Sequence, residues 1–212
     1  MSHRRHWVLI PAAGVGKRFG AAVPKQYLEL AGRPVIDYAI GAFIGHPAIA
    51  GCVVVLGSDD GWWDETSRYA GNARDDDWVL VHDAARPCLR RSDLDRLLAA
   101  LADEPVGALL AVPIADTVKQ AQAGRVAATL PRSALWRAYT PQAFPLGLLR
   151  SALAHAEQQD LIVTDDASAV ELLGHRPALI EGSTDNIKIT RPEDLPLAAF
   201  FLNRQAQDQA TC

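Results

Sequence analysis

The stretch Trp7-Val-Leu-Ile10-Pro11-Ala12-Ala13-Gly14-Val-Gly16-Lys17-Arg18-Phe19-Gly20-Ala-Ala-Val-Pro24-Lys25 joins four apolar residues to a loop with three glycines, three cations and no acid. The apolar run reads as a buried strand. In the loop, glycines let backbone N–H groups turn inward and approach a ligand, and clustered N–H groups form a nest for anions. With Lys17, Arg18 and Lys25 added, the natural guest is a polyphosphate. Small residues alone would also permit a flexible, solvated loop, but the absence of acids and the place just after the first strand favour phosphate binding. A P-loop needs Ser or Thr after Gly-Lys, and Arg18 stands there. A dinucleotide fingerprint needs its third glycine where Phe19 stands. What remains is a glycine-rich loop ending in Pro24-Lys25-Gln26-Tyr27, with cations spaced for a triphosphate.

Outward from this loop, strands and helices alternate. Pro34 to His46 reads as a helix, with Ile36, Ala39, Ile40 and Phe43 at helical spacing. Gly51 to Gly57 and Trp78 to His82 are continuous apolar runs, as in strands buried on both faces of a parallel sheet. Ser92 to Glu104 reads as a helix with a Ser92/Asp95 cap, and Gly107 to Pro113 as a strand. Pro145 to Gln159 and Asp165 to Leu173 read as helices, and Pro177 to Glu181 and Ile187 to Thr190 as short strands. Thr190-Arg-Pro-Glu193 predicts a capping box opening a last helix. This order predicts an α/β fold: a doubly wound, mainly parallel sheet in a single domain over residues 1–212. Residues 114–134 break the rhythm. Thr117 to Lys119 and Val126 to Leu130, flanking Gly124, predict a protruding two-stranded arm, and an isolated hairpin of this kind needs something to pack against.

The chain has 212 residues, 49% hydrophobic and 22% charged, with a net charge of −4. Those values suit one globular domain and exclude a surface built to coat nucleic acid, so the cationic loop is a local pocket. No apolar stretch reaches membrane-spanning length. Met1 to His6 resembles neither a signal nor a transit peptide, and Cys52, Cys88 and Cys212 have no metal-ligand spacing. A cytoplasmic protein with reduced thiols is expected.

Pro11-Ala12-Ala13-Gly14-x-Gly16-x-Arg18 with Pro24-Lys25-Gln26-Tyr27 resembles the signature of the 2-C-methyl-D-erythritol 4-phosphate cytidylyltransferases. His82-Asp83-Ala84-Ala85-Arg86-Pro87, Thr140-Pro141-Gln142, Thr164-Asp165-Asp166-Ala167-Ser168 and Asp185-Asn186-Ile187-Lys188 follow in the family's order, so the resemblance covers nearly the whole chain. It implies a Rossmann-like nucleotidyltransferase fold and a homodimer with interlocked 114–134 arms. The implied reaction transfers CMP from CTP to a sugar-alcohol phosphate. Ribitol-5-phosphate cytidylyltransferases share several of these elements, and a nucleotide-binding regulatory protein without catalysis is the alternative from another class. Between Gly57 and Trp78 the family usually carries a longer segment with a Gly-Gly-x-x-Arg-x-x-Ser-Val motif lining the cytosine pocket. That motif is absent here: a true loss puts base specificity in doubt, while a stretch omitted around residues 69–71 would not.

Joining a triphosphate to a phosphate monoester brings two anions together, so the chemistry asks for cations, N–H donors and a metal ion rather than a nucleophilic triad. The resemblance assigns catalytic roles to Arg18, Lys25, Arg132 and Lys188, with Arg18 and Lys25 at the α-phosphate. It assigns nucleotide binding to Pro11, Ala12, Ala13, Gly14, Gly16, Arg18, Lys25, Asp83 and Ala84. Acceptor binding falls to Arg86, Thr117, Arg132, Thr140, Thr164 and Lys188, with Arg132 reaching the neighbouring subunit's site. Asp83, at the carboxyl end of a buried strand, is suited to hold Mg²⁺ completed by phosphate oxygens and water, and Asp185 is a second metal candidate. Thr164 also suits the cap of the following helix. His82 reads as structural, because an ionised phosphate needs no base.

Overall fold

The computed structural model describes residues 4–13, 23–57 and 73–210, Gln209 by its backbone alone. Among them a six-stranded sheet forms from β1 (His6–Pro11), β4 (Ile49–Val55), β5 (Trp78–Val81), β6 (Ala108–Pro113), β9 (Trp136–Pro145) and β10 (Ala178–Glu181). Their order across the sheet is β10-β6-β9-β5-β1-β4, and β2 (Glu29–Leu30) and β3 (Arg33–Pro34) form a separate antiparallel pair. β9 runs antiparallel to both neighbours and every other pairing is parallel. The helices are α1 (Val35–Gly41), α2 (Arg91–Ala100), α3 (Leu146–Gln158), α4 (Asp166–Leu172) and α5 (Asp194–Ala210). This is the mainly parallel α/β fold that the alternation predicts.

Alternation along the strands divides the core in two. On one face Val8, Ile10, Leu80, Leu110 and Ala143 pack with Ile36 and Phe43 near α1 and with Leu94 and Leu97 of α2. On the other, Val79, Val81, Leu109 and Phe144 meet Leu149 and Ala152 of α3 and Ala167 and Val170 of α4. Each fully buried leucine or phenylalanine contributes on the order of 2 kcal/mol by leaving water. A third cluster seats α5, through Ala198, against Leu30, Val35, Cys88 and Ile189. Gly107, with φ of +120°, leads into β6, and a Cβ there would lie 2.3 Å from the Ala143 carbonyl oxygen. Only glycine lets the chain turn that close to β9.

Several local readings need correction. β9 has no counterpart in the sequence reading; Pro141 and Pro145 lie within it, and proline cannot donate to a ladder. The sheet accommodates Pro141 by a bulge: Gln142 faces Leu109 and Ala138 faces Ala111, so residues 139–141 oppose Leu110 alone. Residues 187–190 form no strand; the Ile189 N–H bonds the Ala85 carbonyl instead, at 2.9 Å. α2 starts at Arg91 with no side-chain cap rather than from a Ser92/Asp95 cap. Asp93, fully buried, is used across the fold, accepting from the backbone N–H (2.8 Å) and hydroxyl (3.0 Å) of Ser183. Glu193 closes no capping box; Asp194 Oδ2 accepts from the Thr190 and Arg191 N–H groups at 2.7 and 2.9 Å.

The expected arm is present: β7 (Val118–Gln122) pairs antiparallel with β8 (Arg125–Leu130) in a separate two-stranded sheet. Ala123 and Gly124, with φ of +48° and +74°, make the tight turn between them. Most of its residues are exposed, Val126 by 66%.

At the opposite end of the sheet from the glycine-rich loop, Asp77 is wholly buried. Its carboxylate accepts from the Arg5 N–H (3.0 Å), the Arg74 N–H (3.0 Å), the Trp7 indole (3.2 Å) and the Arg5 guanidinium (2.9 Å). Burial alone would raise its pKa, but these donors outweigh burial and hold it well below the ordinary 3.8. A carboxylate whose folded pKa lies below its unfolded value stabilises the fold fully above the unfolded value and loses that contribution on acidification. Asp77→Ala is expected to lower the melting temperature at pH 7 by ~5–10 °C. The gap from the parent protein should narrow below about pH 4. A thermal melt series between pH 7 and pH 3 reads both effects, and a gap that stays constant over that range contradicts the ionised role.

Candidate active site

The carboxyl ends of β1 and β5 lie side by side, and the chain leaving them builds the site. The Ala12 N–H bonds the Val55 carbonyl at 2.7 Å, and Gln26, 4% exposed, donates its amide to the Ala12 carbonyl at 2.8 Å. That bond ties the short helical turn Lys25–Tyr27 back to the start of the glycine-rich loop. Gly14, Gly16 and Arg18, expected in the loop, lie outside the described residues.

After β5 the chain turns through Asp83-Ala84-Ala85-Arg86. His82 is fully buried: its Nε2–H donates to the Arg86 carbonyl (3.1 Å) and its Nδ1 accepts from the Thr140 hydroxyl (2.9 Å). Burial lowers its pKa to about 4, so it is neutral and holds the turn. The Thr140 oxygen in turn accepts the Asp83 N–H at 3.1 Å. Arg86 is held on three sides. Its Nε donates to Asp83 (3.1 Å), its Nη1 donates to the Asn186 carbonyl (2.7 Å), and the guanidinium lies 4.7 Å from the centre of the Tyr139 ring. Asn186 completes the frame by donating to the Thr140 carbonyl at 2.9 Å.

Asp83 is the electrostatic centre. The Lys188 ammonium lies 2.9 Å from Oδ2 and 3.1 Å from Oδ1. Burial would raise the Asp83 pKa, but Lys188 and then Arg86 pull it below its ordinary value, so it is ionised. These groups open into a cleft of about 380 Å³. Pro11, Asp83, Arg86, Thr140, Thr164 and Lys188, all expected from the sequence, line it. Ala12 and Ala84 are buried, and Ala13 is exposed at the loop's beginning.

Four of the other expected residues, Lys25 in its helical turn, Thr117, Arg132 and Asp185, do not line the cleft. Thr117 and Arg132 are exposed beside the arm, where the Arg132 guanidinium donates to the Ala115 carbonyl. The second metal candidate, Asp185, is tied to the fold through one oxygen, while its Oδ1 is buried with no hydrogen-bond partner among the described residues. Its Oδ2 takes the Arg90 guanidinium at 2.6 Å and the Gln205 amide at 3.1 Å, which fastens α5 rather than facing the cleft. That partnership joins residues far apart in the chain, and no local pattern reveals it. Thr164 does not cap α4 either. Asp165 caps it by accepting the Ser168 N–H at 2.9 Å, and the Thr164 N–H donates to the Ser168 hydroxyl at 3.1 Å.

Tyr139, Gln142, Asp165 and Asp166 also line the cleft without having been assigned to it. Gln142, 1% exposed, clamps α4 to β9 by donating to Asp165 (2.9 Å) and accepting from the Ala167 N–H (2.8 Å). The doubled acid Asp165-Asp166 ahead of a helix is the signal that could have drawn attention to that wall. Among the described residues no three His, Cys, Asp or Glu side chains gather as a metal cage. Asp83 nevertheless fits Mg²⁺, which is commonly held by one or two carboxylates together with substrate phosphates.

The family model for 2-C-methyl-D-erythritol 4-phosphate cytidylyltransferase matches residues 6–68 and 64–204. The enzyme of that name from Pseudomonas putida (strain GB-1) is 52% identical over 217 positions, covering 89% of this chain and 92% of the relative. That from Pseudomonas entomophila (strain L48) is 50% identical over 216 positions, with the same coverage. Among solved structures, a 4-diphosphocytidyl-2C-methyl-D-erythritol synthase superposes with a TM-score of 0.79 at 37% identity, covering 95% of this chain and 100% of that one. The Francisella tularensis 2-C-methyl-D-erythritol 4-phosphate cytidylyltransferase has the same TM-score at 33% identity, covering 93% and 99%. An alignment of 217 positions that occupies only 89% of a 212-residue chain leaves residues of the relative without counterparts here. The two family-model matches overlap at residues 64–68, inside the segment between Gly57 and Trp78 that lacks the family's motif. With matches spanning residues 6–204, the chain belongs to the 2-C-methyl-D-erythritol 4-phosphate cytidylyltransferase family.

Proposed function

We infer that the chain transfers CMP from CTP to 2-C-methyl-D-erythritol 4-phosphate, releasing pyrophosphate and giving 4-diphosphocytidyl-2-C-methyl-D-erythritol. The observation that carries this reading is the Asp83–Lys188–Arg86 ion cluster at the carboxyl end of β5, inside a cleft shared with Thr140 and Thr164. An acceptor phosphate oxygen attacks the α-phosphorus in line as the bond to the β-phosphate oxygen breaks. The attacking oxygen is already ionised, so no proton has to move. Lys188 and Arg86 neutralise and orient the acceptor phosphate. Lys25, with Arg18 from the glycine-rich loop, meets the charge that builds on the α-phosphate. Asp83 would hold Mg²⁺, which supplies charge neutralisation on the triphosphate.

The exposed arm supports a homodimer. β7 and β8 pair only with each other among the described residues, and a lone two-stranded ribbon is marginal in water. Arg132, at the arm's base and outside its own cleft, then serves the partner's site with the guanidinium donors that the Ala115 carbonyl does not take. No described helix is long and apolar enough to cross a membrane, which agrees with a cytoplasmic enzyme of isoprenoid precursor synthesis.

Pyrophosphate release on mixing protein, Mg²⁺, CTP and acceptor tests the reading. CTP is expected to give the highest kcat/KM of the four ribonucleoside triphosphates, and the methylerythritol phosphate to outperform ribitol 5-phosphate. Equal rates with UTP would remove the cytidylyl assignment, a pointed comparison given the motif missing after β4. Asp83→Asn should keep the fold while raising the Mg²⁺ needed for half-maximal activity by ~10-fold or more, since the amide loses the charge that holds a hard cation. An unchanged magnesium titration would leave Asp83 only its ion pairs. Lys25→Ala and Arg132→Ala should each be inactive as homodimers yet complement when mixed. Random exchange makes about half the dimers hybrid and restores roughly a quarter of all sites. Verified hybrids as inactive as their parents would rule out a shared site.

A further inference from the structure

The cleft contains two kinds of recognition chemistry. Arg86 and Lys188 offer only hydrogen-bond donors and positive charge, which suits a phosphate. The same cleft is lined by two further carboxylates, Asp165 and Asp166, which a phosphate would repel. Asp165 is committed to the fold: Oδ1 accepts the Ser168 N–H and Oδ2 the Gln142 amide. Asp166 is not. It is the first residue of α4 and lines the cleft; its carboxylate accepts only from its own backbone N–H and, among the described residues, meets no cation. Burial, followed by the nearby charges of Asp165 and Asp83, pushes its pKa up to about 6. A half-buried carboxylate that no cation relieves is costly to the fold unless it has work to do with a ligand.

We propose that Asp166 is the carboxylate that recognises the hydroxyl groups of the acceptor, accepting hydrogen bonds from a polyol whose phosphate is held by Lys188 and Arg86. The inference rests on the transferase reading above and names what distinguishes a polyol phosphate from a bare phosphomonoester in this cleft. A polyol phosphate has an anionic end and a run of O–H donors, and the lining of the cleft holds a partner for each in kind. Asp166 is acceptor-only when ionised, so it has two oxygens to offer and no competing donor. Hydrogen bonds to a charged acceptor inside a cleft are stronger than neutral ones, which makes this residue a source of specificity rather than of turnover.

The test compares the parent protein with Asp166→Ala and Asp166→Glu. Initial rates are measured with CTP and 2-C-methyl-D-erythritol 4-phosphate, and n-butyl phosphate serves as a competitive inhibitor carrying the phosphate without hydroxyls. Asp166→Ala should raise KM for the acceptor ~10- to 100-fold. KM for CTP, the magnesium titration and the inhibition constant of n-butyl phosphate should stay within about twofold, as expected when only an acceptor contact is lost. Asp166→Glu should recover part of the lost acceptor affinity, and thermal melts should stay close to the parent's. A parallel rise in acceptor KM and n-butyl phosphate inhibition constant would overturn the inference, because Asp166 would then act on the phosphate or on the fold. A shifted magnesium requirement with unchanged acceptor KM would overturn it in favour of a metal ligand. If the parent protein itself releases no pyrophosphate, the transferase reading fails and this inference with it. Parent turnover with an indifferent Asp166→Ala defeats this inference alone.

Discussion

The hydroxyl of Thr140 joins two strands that run in opposite directions. It donates to buried His82 and accepts from the backbone of Asp83, so the end of β5 and the bulge of β9 cannot move independently. Everything polar in the cleft follows from that junction. Asp83 is placed by its own bonded N–H, Arg86 by Asp83 and by the Asn186 carbonyl, and Asn186 by the Thr140 carbonyl. The circuit closes on itself, from Thr140 through Asp83, Arg86 and Asn186 back to Thr140. Breaking one buried link leaves its partners without water to replace it, so the loss exceeds that of the single bond.

The arrangement explains how a cleft that binds anions tolerates acids. Asp83 is ionised because two cations hold it so, and the cations stay oriented because Asp83 is there before any ligand arrives. Such prior ordering removes a cost that substrate binding would otherwise carry. Gln142 does similar work with neutral chemistry, fixing Asp165 and the first turn of α4 against β9. Two segments that contribute charge are thus anchored to one strand.

That strand was also the least legible part of the sequence. The runs of β5 and β6 announce themselves because strands covered on both faces are continuously apolar. β1 and β4 are as apolar in sequence, yet β4 lies at the sheet edge with none of its residues fully buried, against the expectation. β9 carries Arg137, Thr140, Gln142 and two prolines, since its side chains serve the cleft and its bulge removes the proline from the ladder. Functional demands had overwritten the pattern that marks a strand. The site was readable where chemistry lies in short motifs, as with Asp83, Arg86, Thr140 and Lys188. It was not readable where partners are distant: Arg90 claims Asp185, and Ser168 takes Asp165 as the cap in place of Thr164. Asp166 stands in the Thr164–Ser168 motif, but that no described cation meets it is a property of three dimensions.

The antiparallel placement of β9 has a consequence for how the molecule assembles. β5 and β6 follow one another with only α2 between them, yet in the finished sheet they do not touch; β9 lies between them. The sheet therefore has two halves, one of β4, β1 and β5 and one of β6 and β10, with no ladder directly joining them. They become one surface only when the chain has gone out through the arm and returned as far as Pro145. Local βαβ pairing cannot complete this fold. The closing step waits for contacts of long sequence separation, and such contacts slow a folding reaction. The same strand that brings Thr140 to Asp83 is the one that seals the sheet, so the cleft and the continuous core come into being in a single event.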